Sequence, residues 1–337
     1  MIQVGTIGSS WITSQFIDAC KLDNKFEVKT IYSRSEERAR EFALECQVPY
    51  YTDDLEGMLS DRDVQLVYIA SPNHMHYEQA MKAMRHGKHL IIEKPMFSNL
   101  EEWHSAHKYA ESMDVKIFEA AKHIHGRNYR RLKELVNHQM TEAHLPFMGA
   151  NFNLGQYSSR YEEYRRKEKR KEPTPNVFNP KTSGGTLMDL GVYPIYVAID
   201  LFDLPKEVSY QTIKGADQSD LFGSIQLKYD GFLVNMFISK AVHSILPSEI
   251  YFDNQTLVVY NMTKISKVDL VSKEGQQATL INYKPKNTMS DQLEVFYRLI
   301  KQKNEPSNQE EYEYYVNLSK KVHEVMSKLK RSAGLIE

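Results

Sequence analysis

The sequence predicts an α/β chain in two parts: a doubly wound parallel sheet, followed by an α+β domain built on a large, mainly antiparallel sheet. Three observations carry this expectation. Short apolar runs alternate with helical stretches from residue 1 to about residue 120, which is the pattern of βαβ units. From Phe147 onward strand-like runs recur without helices between most of them, and turn pairs such as Asp230-Gly231 and Asp253-Asn254 separate several, which is a hairpin signal. At 337 residues the chain also exceeds one typical domain. The texture changes after residue 125, and the domains are placed at 1–122 and 123–337.

The first strand, Ile2 to Ile7, meets Gly8-Ser9-Ser10-Trp11-Ile12-Thr13 and then an amphipathic helix to about Leu22. A dinucleotide fingerprint has glycine where Ser10 and Thr13 stand. Small residues there keep most of the steric requirement, and the first amides of the helix still make an anion site, so Gly8, Ser10, Trp11 and Ile12 are candidate phosphate-binding residues. A second strand, Glu27 to Tyr32, ends in Ser33-Arg34 where an NAD site would carry an acid. The missing acid and the arginine favour a 2′-phosphate, hence NADP over NAD; Arg34 as a solvated turn residue is the equal alternative.

Val64 to Ala70 is a third apolar run, and it leads into Ser71-Pro72-Asn73-His74-Met75-His76 and a helix to about His86, with Asn73 a good N-cap. Lys88 to Glu93 follows and stops in Lys94-Pro95. Proline biases Lys94 toward extended backbone, so this lysine is presented just past a strand's carboxyl end, where open α/β sheets bind ligands. A helix over Leu100 to Ser112 and a strand over Val115 to Phe118 complete the first part. His76 is read as a polar group near a cofactor. Close histidine pairs such as His74 and His76 lack carboxylate or cysteine companions at ligand spacing, and no metal is expected.

In the second part, strands are expected over Phe147–Tyr157, Glu207–Lys214, Leu221–Tyr229, Phe232–Ser239, Ser248–Phe252, Gln255–Tyr260, Lys264–Val271 and Ala278–Tyr283, closed by helices near 290–303 and 308–330. The basic run Arg165 to Lys171 has no interleaved aromatics and carries a glutamate, so a solvated, mobile loop is expected in preference to a nucleic-acid patch. Ser183-Gly184-Gly185 through Asp189 to Tyr193-Pro194 precedes a helix to about Phe202. Asp189 and Tyr193 lie four apart, on one helical face, and could fix and deprotonate a substrate hydroxyl; an Asp cap with a core tyrosine is the alternative.

Lysine and arginine total 43 against 44 acids, so no global field favours nucleic acid or an anionic membrane, and a small molecule is the default partner. Cys20 and Cys46 have no metal-type spacing and are expected to be reduced structural thiols. The opening residues lack a basic signal-type region, and no run approaches the roughly 18 apolar residues of a membrane span, so a soluble cytoplasmic protein is expected.

Taken in order, the glycine turn after the first strand, Ser71-Pro72-Asn73-His74, Glu93-Lys94-Pro95, and Gly184-Gly185 through Asp189 to Gly191-Val192-Tyr193-Pro194 resemble the glucose-fructose oxidoreductase, inositol dehydrogenase and rhizopine catabolism family (Gfo/Idh/MocA) over essentially the whole chain. The resemblance implies a Rossmann domain followed by an open-faced, mainly antiparallel sheet domain. It also implies NAD(P)-dependent oxidoreduction of sugars, polyols or related alcohols, and a homodimer or homotetramer formed through the sheet face. By position, Lys94 matches the family lysine that contacts nicotinamide ribose and the reacting oxygen. Tyr193 falls where members use histidine or tyrosine, the tyrosine version being similar to the NADP-favouring dihydrodiol dehydrogenase branch, and Asp189 matches a polar residue beside the substrate. Cofactor contacts are expected from Gly8, Ser10, Trp11, Ile12, Ser33, Arg34, Ser71, Pro72, Asn73, His76, Glu93 and Lys94. The competing expectation is a cofactor-binding sensor without turnover, suggested by the altered glycine turn.

Overall fold

In the computed structural model, which describes residues 1–141 and 145–335, the chain divides into two compact units. The first is Met1–Lys122 with Pro285–Asn317; the second is His123–Lys284 with the residues from Leu318 onward.

The first unit holds a six-stranded parallel sheet of β1 (Ile2–Ile7), β2 (Phe26–Tyr32), β3 (Tyr50–Thr52), β4 (Leu66–Ile69), β5 (His89–Glu93) and β6 (Ile117–Ala120), in the order 3-2-1-4-5-6. The central strands must be apolar on both sides because helices cover both faces. Leu66, Val67, Tyr68 and Ile69 of β4, and Leu90, Ile91 and Ile92 of β5, are accordingly without solvent exposure. The helices are α1 (Trp11–Leu22), α2 (Glu36–Cys46), α3 (Leu55–Ser60), α4 (His76–Arg85) and α5 (Leu100–Ser112). Two elements escape the sequence pattern, β3 and α3. Each is short, and β3 is a half-exposed Tyr-Tyr-Thr with no apolar periodicity to mark it.

Strand order reverses between β1 and β4, which run side by side and send the chain in opposite directions across the sheet. This switch point leaves a crevice at the strands' carboxyl ends. Gly8 and Ser71 therefore lie on neighbouring turns. The helix α10 (Ser290–Lys301) returns to this unit, adding Leu293, Phe296, Leu299 and Ile300 to the core around Phe16 and Phe118.

The second unit begins in the short helix α6 (Lys122–His125), continues through α7 (Arg127–Thr141) and is built on an eight-stranded sheet. Its strands are β7 (Phe147–Gly155), β8 (Glu207–Lys214), β9 (Asp220–Lys228), β10 (Leu233–Ser239), β11 (Ser248–Phe252), β12 (Gln255–Tyr260), β13 (Lys267–Ser272) and β14 (Gln277–Ile281), in the order 14-13-12-11-7-10-9-8. All neighbours are antiparallel except β7 and β10, which pair in parallel with Asn151 opposite Asn235. Burial alternates along β9 and β10, with Ile225, Leu227, Val234 and Met236 buried and Ser224, Gln226 and Asn235 exposed, so one face of the sheet is covered and the other is polar.

The basic run is a helix rather than the expected loop: α8 (Tyr161–Arg170) ends in a left-handed cap at Lys171. Like charges four apart would oppose a helix, but Glu163 pairs with both Arg160 and Lys167, and Tyr164 buries its ring against Phe178. The most apolar helical segment, Pro180–Phe202, is long and apolar enough over one window to cross a membrane, yet 72% of that window is buried as in a core helix. It carries α9 (Val192–Phe202), and the chain's last helix is α11 (Pro306–Ser332).

Candidate functional site

In the first unit the site is built at the switch point. Gly8 has φ +111, and a Cβ there would fall 2.6 Å from the Ala70 carbonyl oxygen, so the turn out of β1 can close against β4 only with glycine. The chain then enters α1 through Ser10, whose side chain does not cap the helix. The Ser10 and Thr13 hydroxyls are buried without a hydrogen-bond partner, and Thr13 has no exposure. A helix start with uncapped amides suits an anion such as a pyrophosphate, whereas the Thr13 hydroxyl is enclosed and out of a ligand's reach. Serine and threonine thus stand at the second and third fingerprint positions with the start of α1 at Trp11 preserved. Ile12 is half-buried against the core, while the Trp11 indole is 72% exposed with the Lys122 ammonium 5.8 Å from its ring centroid.

At the end of β2, Ser33 is tied by its amide to Thr52 and Arg34 is exposed. Ser35 caps α2, and from the helix's first turn Arg38 reaches back to the first turn of the chain, donating to the Ser9 carbonyl at 3.1 Å and to its hydroxyl at 3.3 Å. Arg38 was not among the expected residues. Its position four after Arg34 is the sequence signal, because a residue in the first turn of α2 faces the same crevice end as the strand that precedes it.

Two residues expected to meet the cofactor are buried instead. His76 has no exposure, and its ring nitrogens lie 2.8 Å from the Ser71 carbonyl and 3.1 Å from the Met96 carbonyl. Burial pulls its pKa below the ordinary histidine value, and the ring sits between the Ser71-Pro72-Asn73 segment and the segment behind Lys94. Glu93 is turned inward and accepts from the Tyr68 hydroxyl at 2.7 Å, with the Tyr68 ring stacked on Phe16. Burial raises its pKa, while Tyr68 and the charges of Lys94 and Lys122 oppose that rise. Glu119 braces the same place by accepting from the Met96 amide at 3.0 Å. Lys94 thus leaves a strand end held by buried carboxylates and is itself half-buried, with the Lys94–Pro95 peptide bond cis. Asn73 opens a single 3-10 turn, Asn73–Met75, and the residue preceding α4 is Met75, so the N-cap expected of Asn73 lies one turn too early.

In the second unit the chemistry gathers before α9. Gly185 has φ +109, and a Cβ there would stand 1.9 Å from the Asp220 carboxylate. That carboxylate accepts from the Leu187 amide at 2.7 Å and the Tyr210 hydroxyl at 2.9 Å. Burial lifts the Asp220 pKa to about 6 against those hydrogen bonds. Leu187–Gly191 forms one π-helical turn, a wider turn than the regular helix the spacing suggests, and such turns recur at functional sites. Asp189 lies on it and Tyr193 follows on α9. The Asp189 carboxylate receives the Lys240 ammonium at 2.7 Å, a residue no sequence pattern marked. Tyr193 is half-buried beside His123, whose Nε2 donates to the Tyr193 carbonyl at 3.2 Å and whose ring meets the phenol ring edge-on at 4.8 Å. Among the described residues no three histidine, cysteine, aspartate or glutamate side chains cluster as a metal site requires.

A profile of the oxidoreductase family with an NAD-binding Rossmann fold (Gfo/Idh/MocA) matches residues 2–142, and that family's C-terminal domain matches residues 153–258. The chain belongs to the Gfo/Idh/MocA family. As a Gfo/Idh/MocA protein it is an NAD(P)-dependent oxidoreductase acting on CH–OH groups. It is 33% identical to the NADP(+)-dependent scyllo-inositol 2-dehydrogenase IolU of Bacillus subtilis over 100% of this chain and 98% of the relative. It is 35% identical to YgjR, an uncharacterised oxidoreductase of Escherichia coli, over 89% and 88% of the two chains. The solved structure of KijD10, a 3-ketoreductase of Actinomadura kijaniata in complex with NADP and TDP-benzene, superposes with a TM-score of 0.83 over 98% of both chains at 17% identity, which shows the shared fold.

Proposed function

We propose that this Gfo/Idh/MocA enzyme interconverts a ring hydroxyl and the matching ketone of an inositol or sugar-type polyol, with NADP(H) as the hydride carrier. The observation that carries the reading is Lys94 at the carboxyl end of β5, in a chain similar along its whole length to an NADP(+)-dependent scyllo-inositol dehydrogenase. Bound NADP(H) supplies or receives the hydride at its nicotinamide. Gly8, Ser10 and the first amides of α1 hold the pyrophosphate, with Trp11 and Ile12 beside it. Ser71, Pro72 and Asn73 border the nicotinamide half.

Two cations near the end of β2, Arg34 and Arg38, support the NADP preference, since no acid stands there to receive the ribose hydroxyls of NAD. Lys94 faces the reacting oxygen and stabilises negative charge as it develops there. In the second unit Tyr193 is the proton-exchanging group, a role worth about a hundredfold to ten-thousandfold in such enzymes. Asp189 accepts a neighbouring substrate hydroxyl and so sets the ring's orientation.

The polar sheet face around Asn151, Gln226 and Asn235 is the surface through which two or four copies associate. The two cysteines, both buried and outside any disulfide, suit a reducing cytoplasm. Supplying the purified protein with NADP+ or NAD+ and a panel of inositols and aldoses, and following nicotinamide absorbance, tests the function. Turnover of a cyclic polyol with NADP+ favoured over NAD+ is expected; turnover confined to acyclic alcohols, or preference for NAD+, contradicts the reading.

A further inference from the structure

Lys240 follows β10 and is 1% exposed, which is unusual for lysine. Its backbone is fixed on both sides, the amide donating to Leu221 O at 3.0 Å and the carbonyl accepting from Ser158 N at 2.9 Å. The ammonium meets the Asp189 carboxylate at 2.7 Å, the Val177 carbonyl at 2.7 Å and the face of Phe178 at 4.7 Å from its centroid. A buried ammonium without a counter-charge is costly, so the pair is held together strongly. The partners differ sharply in exposure. Lys240 is enclosed, whereas the Asp189 side chain is 35% exposed. The cation is therefore enclosed while the carboxylate it holds is partly open to solvent.

The buried carboxylate of Asp220 frames the same place from the other side. It ties down Leu187 at the start of the π turn, and the Lys240 charge reaches it. Thr186 completes the frame by donating to the carbonyls of Asp220 and Leu221, both at 2.8 Å, and Leu221 O is the group that holds the Lys240 amide. The turn that carries Asp189 is thus fastened to β9 and β10 by its backbone at one point and by its carboxylate at another.

We propose that Lys240 is a positioning residue: it holds the Asp189 carboxylate in one orientation, set to accept from a hydroxyl of a polyol substrate. This rests on the reading of Asp189 as a substrate-facing group. A carboxylate so held has little conformational freedom left to lose when the hydroxyl arrives, and misplacing such a group by about 1 Å can cost about a hundredfold.

The test is a double-mutant cycle on the full-length enzyme with a polyol it turns over, using Asp189→Asn, Lys240→Met and the pair. Lys240→Met is expected to lower kcat/KM by about tenfold to a hundredfold while NADPH affinity stays within about twofold. In the Asp189→Asn background the same change is expected to cost less than about threefold, because the two residues act as one unit. Lys240→Arg, which keeps the charge, is expected to recover part of the loss. Should Lys240→Met not fold, Lys240→Gln and Lys240→Arg complete the same cycle. Full activity in the Lys240 variants beside a crippled Asp189→Asn overturns the proposal, as do losses that simply add. Unchanged kinetics in Asp189→Asn alone overturns the role of Asp189, and with it that of Lys240.

Discussion

Replacing Gly185 by alanine places two separable costs on the turn that carries Asp189. The first is conformational: φ is +109, a region that residues with a Cβ rarely adopt, at about 1–3 kcal/mol. The second is a collision, since the new Cβ would stand 1.9 Å from the Asp220 carboxylate oxygen. That carboxylate cannot swing aside without leaving the Leu187 amide and the Tyr210 hydroxyl, and a buried hydrogen bond to a charged group is worth about 1.5–3 kcal/mol. Together these predict a loss of about 3–5 kcal/mol in denaturant unfolding. Gly231→Ala supplies the comparison. There φ is +83 and nothing lies within 4 Å of the added Cβ, so only the conformational cost of about 1–3 kcal/mol applies. Because Leu187 opens the π turn, Gly185→Ala is also expected to depress turnover, and Gly231→Ala is not. Equal losses in the two variants, or a Gly185→Ala enzyme within about 1 kcal/mol of wild type, would refute the idea that Asp220 locks this turn.

Two further outcomes follow from single side chains. Asp220 titrates near pH 6 in the fold and near 3.8 when unfolded, so the folded state holds the extra proton between those values. Its contribution therefore falls as pH rises through that window, and wild type should lose up to about 3 kcal/mol relative to Asp220→Asn between pH 4 and 6.5, with no further change above it. Urea unfolding at both pH values measures this, and a wild type that keeps or gains stability relative to Asp220→Asn between pH 4 and 6.5 contradicts it. Arg38→Ala removes an exposed cation beside the first turn, and NADPH affinity should drop about fivefold to thirtyfold while NADH affinity changes less than about twofold. Fluorescence titration of both cofactors decides it, equal losses for the two being the contrary result.

What the sequence made legible was whatever local pattern controls. Apolar runs such as Leu90-Ile91-Ile92 gave the parallel strands, because burial on both faces leaves no alternation to misread. Glu93-Lys94-Pro95 and Gly185 through Tyr193 were visible for a similar reason: a strand end or a glycine turn announces itself within a few residues. The basic stretch misled because composition was weighed above pairing. Glu163 and the buried Tyr164 make α8 a helix, and two of that tyrosine's partners, Phe178 and Asp217, lie far off in sequence. His76 and Glu93 turn inward toward Met96 and Tyr68, an orientation that only the folded sheet supplies. Lys240 was invisible for the strongest version of that reason, its carboxylate partner standing 51 residues away.

The role of Lys94 is decided by two measurements on Lys94→Met with a substrate the wild type oxidises: NADPH dissociation constant and kcat. A cation that serves the reacting oxygen should leave cofactor affinity within a few-fold while kcat falls by about a hundredfold or more, the cost typical of removing one preorganised charge-stabilising group. Near-native kcat in a folded Lys94→Met enzyme would mean that Lys94 does not serve the reacting oxygen.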